Sequence, residues 1–437
     1  MTNDKSKKIL ILQKILRTMA VLVLKKYNPK IVSITGSVGK TSTKEAVFTV
    51  LESKFRVRRT DKNYNNEIGL PLSIIGVNSG ESSLRGWLWV FLKWAWIMFA
   101  PIEYPEVLVL EMGADRPGDI KYLTGFIKSN AAIITDISSS HVEFFKNIQG
   151  VAKEKSVLVK GLEERSLAVL NADNKYVLKI KSQLKCNVVT FGFSEEAQMR
   201  ATDISFNYEG EGEVLKGLSF KLNYRGISIP VRLNNVLAKH QVYSALAAAA
   251  IGTSFGINLV EVGAALENFS LPCGRMNLLA GAENSFIIDD TYNSSPTSAL
   301  AALDTLGEIR AKRKIAVLGD MLELGDESVE KHRLLGKKFI EIKGHIFFAV
   351  GKRMRDAADE LSKDNSPPVN ILYFESPLEA SEKLQEIIRA GDLVLVKGSQ
   401  GMRMEKVVEA ALLDSYEANR LLCRQSKHWR EIPWKSV

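Results

Sequence analysis

The sequence predicts an α/β protein with two mostly parallel sheets, each covered by helices. Short, unbroken apolar runs alternate with helical stretches, which is typical of strands buried on both faces. A Gly-Lys-Thr triplet directly after one such run predicts a phosphate-binding loop between a strand and a helix. The length of 437 residues exceeds what one hydrophobic core supports and indicates two or three domains.

The composition is that of an ordinary soluble protein, with 46% apolar and 25% charged residues. Cys186, Cys273 and Cys423 are widely spaced and form no CxxC pair. This predicts a reducing, cytoplasmic location and argues against a disulfide or zinc framework. The basic N-terminus has no small-residue cleavage site, so a secretory signal is not expected.

The net charge of +9 is concentrated at the N-terminus. Residues 1–30 contain eight basic residues and one acidic residue, Asp4, a local excess of +7. The rest of the chain is therefore nearly neutral, and we expect no nucleic-acid partner. The basic residues are Lys5, Lys7, Lys8, Lys14, Arg17, Lys25, Lys26 and Lys30.

Two segments suggest contact with a membrane surface. Ile9–Leu24 is apolar at helical spacing with basic flanks, which fits either a helix packed on the first domain or one lying on anionic lipid. Leu84–Pro101 holds four of the six tryptophans but is interrupted by Lys93 and is shorter than the ~20 residues of a spanning helix. We predict an interfacial or re-entrant hairpin there, and peripheral membrane association through 5–26 and 84–101. A buried helix or a protein contact remains the alternative.

The first domain begins with Ile31–Lys44, IVSITGSVGKTSTK. Its apolar strand ends at Gly36, one turn before the Gly-Lys-Thr triplet, so the loop is shorter than the standard form. Glycines let backbone N–H groups approach phosphate, Lys40 can reach the β and γ phosphates, and the Thr41 hydroxyl can hold Mg²⁺. The predicted nucleotide ligands are Gly36, Ser37, Gly39, Lys40, Thr41 and Ser42.

Further strands extend this sheet, and a second βα series follows it. Residues 197–232 alternate apolar and polar residues around a Tyr224-Arg225-Gly226 turn, which predicts an inserted antiparallel hairpin. Leu237–Ile251 reads as an alanine-rich helix, and Pro272–Arg275 breaks the chain. The other predicted strands are Val107–Leu110, Ala131–Ile134 and Leu167–Leu170, then Phe286–Ile288, Ile315–Leu318, Ile346–Val350 and Leu393–Val396.

The predicted domains follow from this order. A basic N-terminal helix covers 1–30, a central P-loop ATPase domain with a mostly parallel sheet covers 31–271, and a Rossmann-like C-terminal domain covers 272–425, with a tail at 426–437. Glu111 directly follows the strand Val107–Leu110, where a carboxylate is well placed to hold Mg²⁺. His141 follows the next strand by a short Ser-rich loop and should open onto the same crevice.

Ten motifs support a family assignment, and they occur in family order over about residues 31–410. They are TGSVGKTSTKE (35–45), NYNNEIGLP (63–71), LEMGADRPGDI (110–120), ITDISSSHVEFF (134–145), VAKEKS (151–156), LNADN (170–174), CGRM (273–276), DDTYNSSPTSALAAL (289–303), VLGDMLELG (317–325) and VKGSQGMRME (396–405). The chain resembles the Mur ligase family, ATP-dependent amide-bond ligases of peptidoglycan precursor synthesis. VLGDMLELG and DDTYN favour its MurF branch, which joins D-Ala-D-Ala to a UDP-MurNAc-tripeptide.

The resemblance implies ATP and Mg²⁺ as cofactors, an acyl-phosphate intermediate, and roles for particular residues. Lys40 would clamp phosphate, and Thr41, Glu111, His141 and Lys155 would surround the metal, Lys155 as a carbamate. Lys153 is a neighbouring alternative to Lys155. By the same resemblance, Asn65, Asn66, Lys397 and Ser399 would contact substrate, and Arg275, Asp290, Tyr292 and Asn293 would contact the nucleotide.

Two departures from the family stand out. The family's separate N-terminal domain for the UDP-sugar is not expected within the residues before the loop, and the Trp-rich segment interrupts a short family connection. A Mur-family ligase with another, membrane-associated acceptor is therefore a close alternative. A non-catalytic P-loop partner protein at the membrane is a further alternative, against which the intact Lys40, Thr41, Glu111, His141 and Lys155 set argues. The oligomeric state stays open.

Overall fold

The computed structural model describes residues 2–61, 64–80, 83–138, 145, 147–209, 214–363 and 369–434. The chain forms two compact units. Unit 1 comprises Met1–Ile204, Ser219–Arg232 and His240–Phe269, and unit 2 comprises Ser205–Leu218, Leu233–Lys239 and Ser270–Val437. The predicted α/β fold class is confirmed, while the predicted domain limits stay predictions.

The strands from β1 to β9 form one nine-stranded sheet in the order β2-β3-β1-β4-β5-β6-β7-β8-β9. The pairs of neighbours from β2 to β7 are parallel. The apolar runs predicted for β3, β4 and β5 lie in this buried parallel part. The strands are β1 (Lys30–Thr35), β2 (Val57–Arg59), β3 (Val107–Glu111), β4 (Ala131–Ile134), β5 (Leu167–Asn171), β6 (Asn187–Gly192), β7 (Met199–Glu209), β8 (Val214–Tyr224) and β9 (Ile227–Asn234).

The predicted hairpin at 197–232 is part of a longer arrangement. Three neighbouring strands, β7, β8 and β9, replace the two of a hairpin. The predicted turn is present between β8 and β9, where Arg225 and Gly226 have φ values of 50° and 79°. Two consecutive left-handed residues are the requirement of a two-residue type I′ turn, which matches the twist of the flanking strands.

The helices of unit 1 cover its parallel strands. The first, α1, is longer than the predicted Ile9–Leu24 and buries the stripe Leu16, Met19, Ala20 and Val23. The alanine-rich helix starts at Val242 rather than at the predicted Leu237, and a short 3₁₀ helix, Lys239–Gln241, directly precedes it. The helices are α1 (Thr2–Tyr27), α2 (Lys40–Glu52), α3 (Gly69–Ile75), α4 (Leu84–Phe99), α5 (Asp119–Thr124), α6 (Ile148–Lys160), α7 (Lys175–Leu178), α8 (Val242–Ser254) and α9 (Leu259–Leu266).

The Trp-rich segment is one continuous helix, α4, so the predicted hairpin was wrong. The Ser83 hydroxyl caps its first turn by accepting a hydrogen bond from the Gly86 N–H. The helix ends before Pro101, and no breaker interrupts it. Val90 and Ile97 are buried in the core of unit 1, while much of the outer surface of α4 is exposed. In the described ranges, no helix combines the length and hydropathy that crossing a membrane requires.

Unit 2 contains a six-stranded sheet in the order β10-β11-β15-β12-β13-β14. β10 and β11 pair antiparallel, and all other neighbours are parallel. Successive residues of one strand enter two different cores, as Ile315 and Ala316 do, so both faces of the sheet are covered. Its strands are β10 (Asn277–Gly281), β11 (Ser285–Asp290), β12 (Arg313–Gly319), β13 (Ile346–Val350), β14 (Asn370–Phe374) and β15 (Asp392–Lys397).

The predicted strands of the second βα series all lie within these strands of unit 2. Helices between the strands cover the sheet, beginning with α10, where Pro296 occupies the first turn behind the Ser295 cap. The helices are α10 (Pro296–Glu308), α11 (Ser328–Glu341), α12 (Arg355–Leu361), α13 (Pro377–Ile387), α14 (Glu405–Ala411), α15 (Ala418–Leu421) and α16 (Lys427–Glu431).

Candidate active site

The phosphate-binding loop connects the end of β1 to the start of α2, as predicted. Gly39 has a φ of 83° and precedes the first helical residue, Lys40, so a left-handed residue turns the chain into the helix. A Cβ on Gly36 would lie 1.9 Å from the Thr135 hydroxyl oxygen. Both positions therefore require glycine, and the start of α2 presents backbone N–H groups of the kind that bind phosphate.

Hydrogen bonds within unit 1 hold the loop in a compact form. The Lys40 ammonium donates to the carbonyl oxygens of Gly36 (2.8 Å) and Ser37 (3.3 Å). The Ser37 N–H donates to the Asp136 carbonyl oxygen at 2.8 Å. Thr41 is partly exposed, whereas Ser42 is buried. Lys40 thus lies folded over the loop, at the place from which it can reach a bound phosphate.

Lys155 of α6 lies against the same loop. Its side chain is buried, and its Nζ donates to the Gly36 carbonyl oxygen at 3.0 Å. Burial, and next the positive charge of Lys40, lowers the pKa of Lys155 to about 7. Lys153, the alternative considered from the sequence, is exposed. A buried amine that is partly neutral near pH 7 has the chemistry that carbamylation requires, since only a neutral amine attacks CO₂.

Glu111 ends β3 with a buried carboxylate. Its Oε1 accepts a hydrogen bond from the Asn65 side chain at 3.2 Å, and its Oε2 has no hydrogen-bond partner. The Lys44 ammonium is 4.0 Å from that Oε2. A buried carboxylate oxygen without a hydrogen bond is costly unless a cation approaches it, so this oxygen fits a metal ligand.

The remaining predicted metal ligands are only partly described. His141 lies outside the described residues. Among the residues that are described, no group of three or more His, Cys, Asp or Glu side chains could hold a metal ion. Glu111, the Thr41 hydroxyl and a carbamate on Lys155 would each offer Mg²⁺ an oxygen, the hard kind of ligand that it prefers.

Asn65 and Asn66 occupy different environments. Asn65 contacts Glu111, and its carbonyl oxygen accepts a hydrogen bond from the Gly113 N–H at 2.9 Å. The Asn66 side-chain oxygen accepts hydrogen bonds from the N–H groups of Ile68 (3.2 Å) and Gly69 (2.9 Å) at the start of α3. Asn65 therefore lies beside the candidate metal ligand, while Asn66 stabilises the local backbone.

In unit 2, the predicted residues from the ends of β11 and β15 converge. The buried Lys397 ammonium lies 2.6 Å from Asp290 Oδ2 and donates to the Asn293 carbonyl oxygen at 2.8 Å. The Ser399 hydroxyl oxygen accepts a hydrogen bond from the Leu322 N–H at 2.8 Å. The Lys397–Asp290 ion pair therefore fixes the loop after β11.

Arg275 and Tyr292 form a second contact in unit 2. The Arg275 guanidinium carbon lies 4.3 Å from the centroid of the Tyr292 ring, within the range of a cation–π interaction. The Tyr292 N–H donates to the Gly274 carbonyl oxygen at 2.9 Å. The predicted residues thus form two groups, one in each unit: the loop with Lys155, Asn65 and Glu111, and the group around Lys397 and Tyr292.

Sequence reasoning missed several supporting residues in unit 1. Asp136 follows β4 as Glu111 ends β3, and this position after a parallel strand could have singled it out. The Asn174 amide donates to Asp136 Oδ1 at 2.6 Å. The Thr135 hydroxyl donates to the Val38 carbonyl oxygen at 2.5 Å and so links the phosphate-binding loop to the end of β4. Nothing in the sequence around Lys44 predicts that its side chain is buried beside Glu111.

A buried ionic network in unit 2 was also missed. The two Glu405 carboxylate oxygens accept hydrogen bonds from Arg403 (2.5 Å) and Arg424 (2.7 Å). Arg424 also donates to the carbonyl oxygens of Thr291 and Tyr292. Arg403 donates to the Trp429 carbonyl oxygen at 2.7 Å, so the network ties α16 to the segment that carries Tyr292.

Comparison with known families identifies two matching domains. The Mur ligase middle domain matches residues 34–83 and 97–252. The glutamate ligase domain of Mur ligases matches residues 274–400. The first match leaves out residues 84–96, which is nearly all of α4.

Curated relatives match along most of the chain. A UDP-N-acetylmuramoyl-tripeptide--D-alanyl-D-alanine ligase of Bacillus subtilis is 29% identical over 399 residues, which is 90% of this chain and 78% of that protein. The protein of the same description from Escherichia coli is 29% identical over 397 residues, covering 90% and 79%.

Solved structures agree with these matches. A crystal structure of MurF from Acinetobacter baumannii has a TM-score of 0.75 and 25% identity, covering 91% of this chain and 79% of that one. MurF ligase from Thermotoga maritima in complex with ADP has a TM-score of 0.72 and 25% identity, covering 93% and 84%. The two matched domains and the loop geometry lead to one conclusion: this chain belongs to the Mur ligase family.

Proposed function

We propose that this protein is an ATP-dependent ligase that adds D-Ala-D-Ala to a UDP-MurNAc-tripeptide. The observation that carries the proposal is the phosphate-binding loop, with Lys40 and Lys155 both hydrogen-bonded to the Gly36 carbonyl oxygen. The chain is also similar to UDP-N-acetylmuramoyl-tripeptide--D-alanyl-D-alanine ligases over nine-tenths of its length. The comparisons do not favour another acceptor or a non-catalytic partner protein.

The reaction consists of two displacements. A carboxylate oxygen of the tripeptide attacks the γ-phosphorus of ATP, and ADP leaves with the electrons of the broken P–O bond. The amine of D-Ala-D-Ala then attacks the acyl-phosphate carbon, the amide bond forms, and inorganic phosphate leaves while the amine loses a proton. Such phosphoryl transfer depends on positioning and on charge stabilisation.

Residues of unit 1 supply these two effects. Glycines at 36 and 39 allow the backbone to bind the phosphates closely, and Lys40 neutralises their charge. Thr41, Glu111 and Lys155, the last as a carbamate, are the proposed holders of Mg²⁺, together with His141. A bound Mg²⁺ would supply charge neutralisation on the phosphate oxygens. Asn65 keeps the Glu111 carboxylate oriented through its hydrogen bond to Oε1.

The other predicted contacts are also proposals. Arg275, Asp290, Tyr292 and Asn293 would bind the nucleotide, and Asn65, Asn66, Lys397 and Ser399 would bind substrate. The buried Asp290–Lys397 ion pair supports a positioning role for both side chains. Separating the two would leave a buried charge without its partner, which is costly.

We further propose that the enzyme is cytoplasmic and works at the inner face of the membrane. Its nucleotide-sugar substrate is a soluble small molecule, and the chain has two apolar segments with basic neighbours, 5–26 and 84–101. A soluble substrate supports a cytoplasmic enzyme, and the two segments support contact with a membrane surface.

The activity is tested by phosphate release from Mg²⁺ and ATP in the presence of UDP-MurNAc-tripeptide and D-Ala-D-Ala. We expect release to require both substrates and mass analysis to find the pentapeptide product. ATP hydrolysis without that product would overturn the assignment of the acceptor. Absence of all ATP-dependent release from folded protein would overturn the ligase itself.

Two lysines of α6 provide a matched test of the site. We expect Lys155→Met to lower kcat by about 100-fold or more, because electrostatic groups of this kind are worth several kcal/mol in the transition state. Lys153→Met, two residues away and exposed, should keep the rate of the unmodified enzyme. Equal activity of both variants would exclude Lys155 from the catalytic machinery.

A further inference from the structure

The outer surface of α4 is apolar, whereas that of an ordinary surface helix is polar or charged. Leu88, Trp89, Leu92 and Trp96 are between 55% and 64% exposed, and they recur at the spacing of one helical face. A soluble helix normally presents charged or polar residues on this face and apolar residues on the other. Here both faces are apolar, since Val90 and Ile97 are buried on the inner one.

Helix α1 adjoins α4 and carries further exposed apolar side chains. The Trp94 indole N–H donates to the Met19 carbonyl oxygen at 3.1 Å. The Lys26 ammonium donates to the carbonyl oxygens of Ile97 (3.0 Å) and Met98 (2.9 Å) at the end of α4. A cation at this end is favourable for the helix dipole, so the two helices are joined at defined points.

These two helices hold most of the exposed large apolar side chains in the described part of the chain. Of twenty such side chains, seven lie on α4 and five on α1, although the helices have only 16 and 26 residues. We name these twelve residues the apolar platform. They are Ile9, Leu10, Ile11, Ile15, Leu22, Leu84, Leu88, Trp89, Phe91, Leu92, Trp96 and Phe99.

The charge around the apolar platform is positive. Lys14, Lys25 and Arg85 are exposed on the same helices, and Lys93 is partly exposed. Helix α4 contains no acidic residue, and α1 contains only Asp4. A second copy of this surface would bring like charges together in a symmetric dimer, which disfavours self-association. An anionic lipid surface complements both the charge and the apolar side chains, and Trp prefers the headgroup region.

We propose that α1 and α4 together form a binding surface for anionic lipid bilayers, with the apolar platform entering the headgroup–acyl boundary. This rests on the proposed location at the membrane face and names the part of the chain that would produce it. Nearly all of α4 lies outside the residues that the family's middle domain matches, because that match omits residues 84–96. The helices lie on the surface, and the basic residues bind lipid phosphates.

The test uses the full chain and vesicles of phosphatidylcholine with about one-third phosphatidylglycerol, compared with pure phosphatidylcholine. We expect cosedimentation with the anionic vesicles, weakened by raised salt. Brominated acyl chains should quench the fluorescence of Trp89 and Trp96. The double variant Leu88→Glu, Leu92→Glu should bind at least 10-fold more weakly, because it places charges where the apolar side chains enter the lipid.

Leu378→Glu is the matched control, since Leu378 is 61% exposed on α13 of unit 2 and far from the platform in sequence. It should bind vesicles like the unmodified protein. Ligase activity on soluble substrates should be the same for all three proteins, so failure of lipid binding is distinguishable from failure of the proposed function. A folded, active protein that does not bind anionic vesicles would overturn the proposal.

Sedimentation analysis without lipid decides between lipid and protein as the occupant. We expect the unmodified chain and the double variant to have the same mass in solution. A dimer that the double variant loses, or equal vesicle binding by the double variant, would also overturn the proposal.

Discussion

Asp289 is a residue whose protonation near pH 6 is set mainly by burial. Its carboxyl group is fully buried at the end of β11 next to Asp290, and its Oδ2 has no hydrogen-bond partner. Burial raises its pKa to about 6; the negative charges of Asp290 and Glu405 add to this, while hydrogen bonds from Thr291 oppose it. The folded protein therefore holds a proton that the unfolded chain has already released.

The sign of the pH effect follows from this difference. Between about pH 4 and pH 6 the unfolded chain loses the proton first, so stability falls as the pH rises. Above pH 6 the folded state carries the full cost of a buried charge, at most about 3 kcal/mol for two units of pKa. Asp289→Asn should therefore stabilise the protein by about 1–3 kcal/mol at pH 7.5 and by much less at pH 4.5.

Denaturant unfolding at the two pH values measures this difference directly. Asp326→Asn is a suitable control, since Asp326 is an exposed carboxylate in the short 3₁₀ helix before α11, and it should show no comparable gain. A variant at Asp289 with the same pH dependence as the unmodified protein would show that the buried carboxyl is not the titrating group.

The sequence indicated which polar residues lie at the ends of strands, but it did not indicate which charged side chains are buried beside them. Glu111 was predictable because a carboxylate that directly follows an apolar strand lies at the carboxyl edge of the sheet. The sequence could not decide between Lys153 and Lys155, because both lie on one helix. Only tertiary packing determines that Lys155 is the one buried against Gly36. Lys44 and the Arg403–Glu405–Arg424 network were unpredictable for the same reason.

Helix α4 shows the limit of sequence reasoning at the level of elements. Its composition predicted an interfacial segment, but the presence of Trp and a lysine did not distinguish a hairpin from one helix. The helix continues because residues 84–99 include no proline and only one glycine, in the first turn. The inner face of α4 then packs into unit 1 through Val90 and Ile97, which the apolar pattern alone could not separate from the outer face.

The two faces of α4 should respond differently to truncation. Ile97→Ala should lower the free energy of unfolding by about 2–4 kcal/mol, because it leaves a cavity in the core. Leu92→Ala removes a similar volume from a side chain that is 55% exposed and should change stability by about 0.5 kcal/mol or less. Thermal and denaturant unfolding in the absence of lipid would measure both. Equal losses would mean that the two faces are packed alike.

For the whole molecule, the α/β class with mostly parallel sheets followed from the sequence, while the predicted domain limits stay predictions. Unbroken apolar runs specified the parallel strands, and the phosphate-binding loop specified which of their ends carries the site. Chain segments 205–218 and 233–239 were not predicted to belong to unit 2. Alternation of apolar and polar residues shows which face of a strand is buried, but it does not show which element packs against that face.

Ligand binding should change the stability of the whole protein. ATP with Mg²⁺ at about 100 times its dissociation constant should add about 2.7 kcal/mol to the unit that binds it. A chelator should remove most of this gain, because it withdraws the Mg²⁺ that we propose neutralises the phosphate charge beside Glu111. Lys40→Ala should show no gain with or without Mg²⁺. Thermal shift measurements suffice, and an undiminished shift in the chelator would argue against metal-dependent binding.

The path of α4 across unit 1 has a consequence for orientation. Just before the helix, the Ser79 N–H donates to the Tyr64 hydroxyl at 3.0 Å, beside Asn65 and the site. At its other end, Ile97 accepts a hydrogen bond from Tyr27, whose ring stacks on Tyr104 shortly before β3 begins. The helix thus runs alongside the strands from their carboxyl ends toward their amino ends. A bilayer against its outer face would lie parallel to the strands, so their carboxyl ends, which carry the phosphate-binding loop, would not point into the lipid.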